Sequence, residues 1–330
     1  MIPRIRFWAG LVCAMAAAIW WALGITVIQP MIEPLQTAEN NTYWLRDVRW
    51  LALLVIVLAF VWSFRGDKRL SAMAAGALVV GIAVDILLDR FDDDFMTRNF
   101  DFVESSSIRW GAYLVVILVP GAWIRAKFQP NRPSPRVSMM AAMVAAVAAG
   151  FASALESPTD REWYLAASAL VLVALLTAIG VGAAHSAANR WGRYEWGLAG
   201  LAALAIVGLT VIGRLGDPPA ATALFSTLAL LGTAAGAMAL LATAGRWQLA
   251  PRLVIAVCLG ALAVLVSVVA MIVMVATGVA SVFTALAGNP AVNAADWDTV
   301  MTLPAVAAGL FLGWGLVSYD RKAMTAPGPP

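Results

Sequence analysis

Apolar positions along this chain come in long unbroken runs, without the alternation of a strand or the one-sided stripe of a soluble helix. Ten runs stand out, roughly 7–29, 48–64, 70–88, 108–125, 137–155, 163–184, 195–213, 221–243, 252–278 and 299–318. At about 1.5 Å per residue, ~20 residues of helix cross a hydrocarbon layer ~30 Å thick. Lipid offers no partner to an open backbone, so each run must be helical if it crosses. The pattern predicts an all-α fold: a polytopic transmembrane helical bundle of about ten spans. The second and third runs are short, and the ninth is long enough to tilt or break near Gly278. Arg4 and Arg6 ahead of the first run resemble the start of a secretory leader. The run itself is long enough to span and is read as a retained first helix. The reading is one integral membrane domain over 1–322, with a disordered tail over 323–330.

Composition supports the same class. The 330 residues are 62% hydrophobic and 12% charged, against about 45–50% and about 25% in soluble chains. Cys13 and Cys258 both fall inside apolar runs and read as packed free thiols. A single histidine, His185, excludes multi-histidine metal sites on this chain alone. No phosphate-binding loop, dinucleotide glycine fingerprint, zinc spacing or nucleophile elbow occurs, so no cofactor is expected and an enzyme is the less favoured class. The basic residues occupy short connections rather than a folded domain, which excludes nucleic acid as a partner.

Charge is sorted between alternate connections. One set of connections and ends carries fifteen basic residues, from Arg4 and Arg6 to Arg321 and Lys322, against three acids, Asp67, Glu195 and Asp320. The other set carries seven basic and sixteen acidic residues. Cytoplasmic loops are enriched in Lys and Arg, so both termini are expected in the cytoplasm. The acidic loops then lie on the periplasmic or extracellular side of a plasma (inner) membrane, and the Ala/Val/Arg-rich composition is bacterial in character. The longest inner connection, 125–137, reads as a flexible basic linker beside anionic headgroups. The outer loops are 30–47, 89–107, 156–162, 214–220 and 279–298. Beyond the lipid bilayer, any protein partner would dock on loops 30–47, 89–107 and 279–298. Trp44, Trp50, Trp110, Trp163 and Trp297 would form an outer aromatic belt with the phenylalanines of the acidic loop. The loop at 279–298 opens with an apolar stretch that fits either a re-entrant segment or an interfacial helix ending at Asn289 and Pro290.

The candidate site lies at the outer ends of the second to fourth runs. Arg46 and Arg49 are three apart, and Asp85 and Asp89 four apart, so each pair shares a helix face. Asp85 sits about a turn inside an apolar run, where an unpaired carboxylate is costly. Arg46, Arg49 and Arg109 run against the charge bias of their side. Pairing these arginines with Asp85 or Asp89 resolves both anomalies, either as structural ion pairs or as an outward-facing pocket for a phosphate or carboxylate. Asp92, Asp93 and Asp94, with Asp101 and Glu104, are weaker candidates for a hard cation, without the spacing of a calcium loop. Three functions follow from these features: a transporter or permease with an outward polar pocket, a non-catalytic subunit of a larger cell-envelope complex, or an outer-leaflet enzyme acting on a lipid-linked substrate.

Overall fold

A computed structural model describes residues 2–32, 43–96, 101–129, 132–155, 162–188, 190–214, 220–289 and 300–325. Every regular element among them is helical. In chain order these are α1 (Ile2–Leu23), a π turn (Gly24–Ile28), α2 (Gln29–Ile32), α3 (Trp44–Ser63), α4 (Lys68–Met96), α5 (Asp101–Lys127) and α6 (Pro135–Ser153). They continue with α7 (Glu162–Ala187), α8 (Arg193–Arg214), α9 (Ala220–Ala242), α10 (Leu249–Thr277), α11 (Val279–Ala287) and α12 (Thr302–Thr325). Eight helices are long and apolar enough to cross a membrane: α1 with its π turn, α4, and α6 to α10 with α12. These mark a multi-pass membrane protein. The other two long helices carry more charge, with Arg46, Asp47 and Arg49 opening α3, and Arg109, Arg125 and Lys127 on α5.

Two expectations change. The acidic stretch 89–107 is largely helix: α4 continues through Asp92–Asp94 to Met96, and α5 begins at Asp101. No Gly or Pro lies between Gly81 and Gly111, so nothing local stops either helix where the apolar run ends. The belt also loses two members. Trp44 and Trp50 are buried, while Trp110 and Trp163 are exposed. Trp297 lies outside the described residues.

Helix α6 is the packed centre. Its alanine-rich sequence lets neighbours approach closely, and nearly all of Ser138–Ser153 is buried. It packs on α7, α9 and α12. Gly309 and Gly313 set the α12 contact, since a Cβ there would stand 2.5 and 2.8 Å from the Cα atoms of Val144 and Met140. The α9–α10 contact is equally close, with a Cβ at Gly260 placed 2.7 Å from the Gly232 carbonyl oxygen. Large apolar side chains such as Val79, Val257, Leu204 and Ile272 remain exposed on the outer helices, where lipid would cover them.

Connections gather at two opposite ends. At one end Arg6 Nε donates to the Ser63 carbonyl at 3.2 Å, and Ser134 N–H to the Arg65 carbonyl at 3.0 Å. There too, Arg246 pairs with Asp320 at 2.9 Å and donates to the Ala187 carbonyl at 2.7 Å. At the other end Asp47 accepts the Met301 N–H at 2.8 Å, and Arg214 donates to the Ser153 carbonyl at 2.6 Å. The long helices therefore alternate in direction. Helix α11 is an extra short helix at the second end, bracketed by Gly278 (φ 61°) and Gly288 (φ 86°). It is the apolar stretch expected there, and it stops at Gly288, one residue before Asn289.

Candidate functional site

Two carboxylates on α4 face one guanidinium on α3. Arg49 Nε lies 2.9 Å from Asp85 Oδ1, and Arg49 Nη2 lies 3.2 Å from Asp85 Oδ2 and 3.1 Å from Asp89 Oδ1. All three side chains are at least 96% buried. The four-residue spacing places the aspartates one above the other on α4, so a single arginine reaches both. Four more side chains complete the shell. The indole N–H groups of Trp21 and Trp50 donate to the two oxygens of Asp85 at 2.7 and 2.8 Å. Gln29 donates its amide N–H to Asp89 Oδ1 and accepts from Arg49 Nη1. Asn289 donates to Asp89 Oδ2 at 3.3 Å. Each oxygen of Asp85 thus takes both an arginine and a tryptophan donor, so neither is left without a partner in this buried setting.

The π turn makes this shell possible. In a regular α-helix Trp21 and Gln29 would point about 80° apart. The wider turn at Gly24–Ile28 lets both reach the same pair of aspartates. Gly24 favours this close approach: a Cβ there would stand 3.1 Å from Arg49 Cγ, so the arginine stem would have to give by a few tenths of an ångström.

Arg46 turns away from the aspartates. Its Nη1 donates to Thr284 Oγ1 of α11 at 2.8 Å, and its guanidinium lies 5.3 and 5.8 Å from the ring centres of Tyr43 and Trp50. Trp50 meets Phe283 of α11 edge-on at 5.1 Å. Arg46, Asp47 and Trp50 therefore tie α3 to α11 and to the start of α12, while Arg49 ties it to α4. Arg109 is exposed on α5 and takes no part in the cluster among the described residues. Asp92, Asp93 and Asp94 lie on the last turns of α4, and Asp101 and Glu104 on the first turn of α5, but their side chains lie outside the described residues. No group of three metal-ligating side chains occurs among the described residues. Trp21, Gln29, Thr284 and Asn289 are absent from the sequence-derived set, and Trp50 entered it only as a belt residue. A polar Gln29 closing an apolar run was the one local signal.

Two cavities lie at the opposite end among the described residues. A cavity of about 770 Å³ lies between the α3–α4 turn, the connection before α6, Arg246 and Asp320. A second, of about 530 Å³, lies beside Arg4, Arg6 and Lys127. Asp67 organises the first: Oδ1 accepts the N–H groups of Arg69 and Leu70 at 3.0 and 3.1 Å, capping α4. Its Oδ2 accepts the Arg132 N–H at 2.5 Å. Burial pushes the Asp67 carboxyl up, but these N–H groups and the Arg69 charge outweigh it and hold the group below the usual carboxylate range. The expected flexible linker is instead fastened at 132–134. Gly66 (φ 63°) permits this, since a Cβ there would meet the Ser134 carbonyl oxygen at 2.8 Å. Elsewhere at this end, Glu195 accepts the Gly192 N–H at 2.9 Å at the start of α8, and the His185 ring packs against Trp191 and Trp196.

No family model, curated protein or solved structure matches the chain.

Proposed function

We propose that this protein is a ten-span carrier of the plasma (inner) membrane and that the Arg49–Asp85–Asp89 cluster is its outer gate, drawn in the closed position. In this reading α1, α3 to α10 and α12 are the spans, the basic connections and both termini are cytoplasmic, and α11 covers the gate from outside. The carrying observation is that one buried arginine clasps two carboxylates on α4, the least buried of the eight apolar helices, with 17% of its most apolar stretch inside the fold. Between its ends α4 presents Met73, Val79 and Val80 outward, so much of its attachment near the outer end is polar. A buried ion pair adds little stability over an apolar contact, and its best-attested use is to set a register or a switch. Breaking the Arg49–Asp89 contact, as by offering Arg49 a competing anion, would loosen α4 from α1 and α3 and open a path beside it. The cavities at the basic end fit an inward-open counterpart of that closed outer end.

The test places a cysteine at Ile86, half-buried beside Trp50, after replacing Cys13 and Cys258. A membrane-impermeant maleimide is then added from outside. The cysteine should be protected in the parent and react once Arg49→Gln or Asp89→Asn opens the clasp. Persistent protection in both variants, with melting behaviour showing that they fold, would overturn the gate.

A further inference from the structure

The 770 Å³ cavity at the basic end stands independently of the carrier reading, and its walls point to a ligand. Five basic residues line it, Lys68, Arg69, Arg132, Arg136 and Arg246, against two acids. One of those acids, Asp67, has both oxygens occupied by backbone N–H groups. The excess positive charge is therefore not neutralised within the wall. Helix α6, 19 residues long, begins there. Its N-cap Ser134 makes no side-chain cap hydrogen bond, and Pro135 at the first position has no N–H. The next N–H groups of that first turn are the kind of donor an anion takes. A second, independent signal comes from Asp320. It is 1% exposed, lines the same cavity, and gives only Oδ2 to Arg246, while Oδ1 has no hydrogen-bond partner. The buried Nε of Arg246 is likewise without one. A buried carboxylate oxygen without a donor is a costly state that a ligand N–H or O–H would relieve.

We propose that this cavity binds a phosphate ester that also carries a hydroxyl or ammonium group. The phosphate sits among Arg69, Arg132, Arg136 and the α6 N-terminus, and the donor group sits against Asp320, whose buried Oδ1 turns toward the cavity to meet it. Arginine suits the phosphate because its planar fork meets two oxygens at once. The same chemistry belongs to a phospholipid headgroup and to a small soluble phosphate ester.

The full chain, delipidated in detergent, is titrated with glycerol 3-phosphate and with inorganic phosphate. In a parallel arm it is placed in nanodiscs of phosphatidylcholine with or without phosphatidylglycerol, and retained lipid is counted by native mass spectrometry. Saturable binding of glycerol 3-phosphate supports a soluble ligand, and retention of phosphatidylglycerol over phosphatidylcholine supports a headgroup. In either arm Arg132→Glu with Arg136→Glu, both exposed, should weaken binding at least about tenfold, as expected on losing two charge-assisted contacts. Asp320→Asn should abolish the preference for glycerol 3-phosphate over inorganic phosphate. Should the charge-reversal pair melt below the parent, Arg69→Gln replaces it with the same expectation. Absence of saturable binding in both arms, or affinity unchanged by these substitutions, overturns the site.

Discussion

Arg49 is held by contacts that only make sense together. A guanidinium enclosed by α1, α3 and α4 needs both aspartates, and each aspartate in turn needs indole or amide donors. Removing one partner strands the rest in a dry setting. Arg49→Ala should therefore lower stability by about 3–5 kcal/mol, the range for breaking one side of a buried pair, measured by unfolding in detergent. The joint change of Arg49, Asp85 and Asp89 to leucine should recover most of that loss, because no buried charge is then left unpaired. A triple variant as unstable as the single one would show that the charges themselves hold the helices. Asp67 behaves differently, because its partners are backbone N–H groups at a surface turn. Its carboxyl is held below the usual range, so its contribution is full above the ordinary value near ~4. That contribution fades as pH falls through the lower folded value. Asp67→Asn should lower the melting temperature at neutral pH, by the equivalent of about 0.5–2 kcal/mol for a weakened cap. The gap from the parent should close below about pH 4. A gap independent of pH would mean that the loss is steric.

The helices were largely legible in the sequence, because lipid length and backbone satisfaction leave little choice once an apolar run is long enough. All ten runs coincide with long helices. The helix ends were less legible: apolarity stops at Leu88, whereas α4 runs on through five charged residues to Met96, since only Gly, Pro or a cap would have halted it. The cost of an unpaired carboxylate in an apolar run points to a pairing of Asp85 or Asp89 with Arg46, Arg49 or Arg109, without choosing among the arginines. The outer shell of the cluster was not legible, because the π turn that brings Trp21 and Gln29 round has no residue signature beyond Gly24. Nor does an i,i+3 spacing show that Arg46 serves α11 while Arg49 serves α4. Packing between elements is read better from small residues. At the α9–α10 crossing, Gly232, Gly236 and Gly260 bring backbones to within methyl distance. Gly260→Val should force these helices apart and lower the melting temperature clearly. Gly200→Val, where a Cβ meets nothing within 4 Å, should change it by no more than the small propensity difference. Equal losses at the two positions would assign the effect to helix propensity rather than to packing.

At the scale of the whole molecule, the arginines on the acidic end decide how strongly charge orients the chain. The sequence assigns seven basic residues to the acidic set of connections. Arg49 is consumed by the aspartates and Arg46 by Thr284, while Arg214 donates to the Ser153 carbonyl and Arg90 to that of Leu286. Cations engaged with carbonyls and carboxylates of their own fold offer less to anionic headgroups. The effective asymmetry between the two ends is therefore steeper than the raw count of Lys and Arg. The basic end keeps Lys68, Arg69, Arg132 and Arg136 exposed around an open cavity, and in the proposed topology they would meet the inner leaflet. This fixes an expected orientation. With Cys13 and Cys258 replaced, a cysteine at Ser281, exposed on α11, should react with an impermeant maleimide added to intact cells. A cysteine at Gln129, exposed after α5, should react only after the membrane is opened. Reversed reactivity would invert the bundle while leaving its alternation intact. Labelling of both positions from one side would break the alternation, because α11 and the end of α5 stand at opposite ends of the same set of helices.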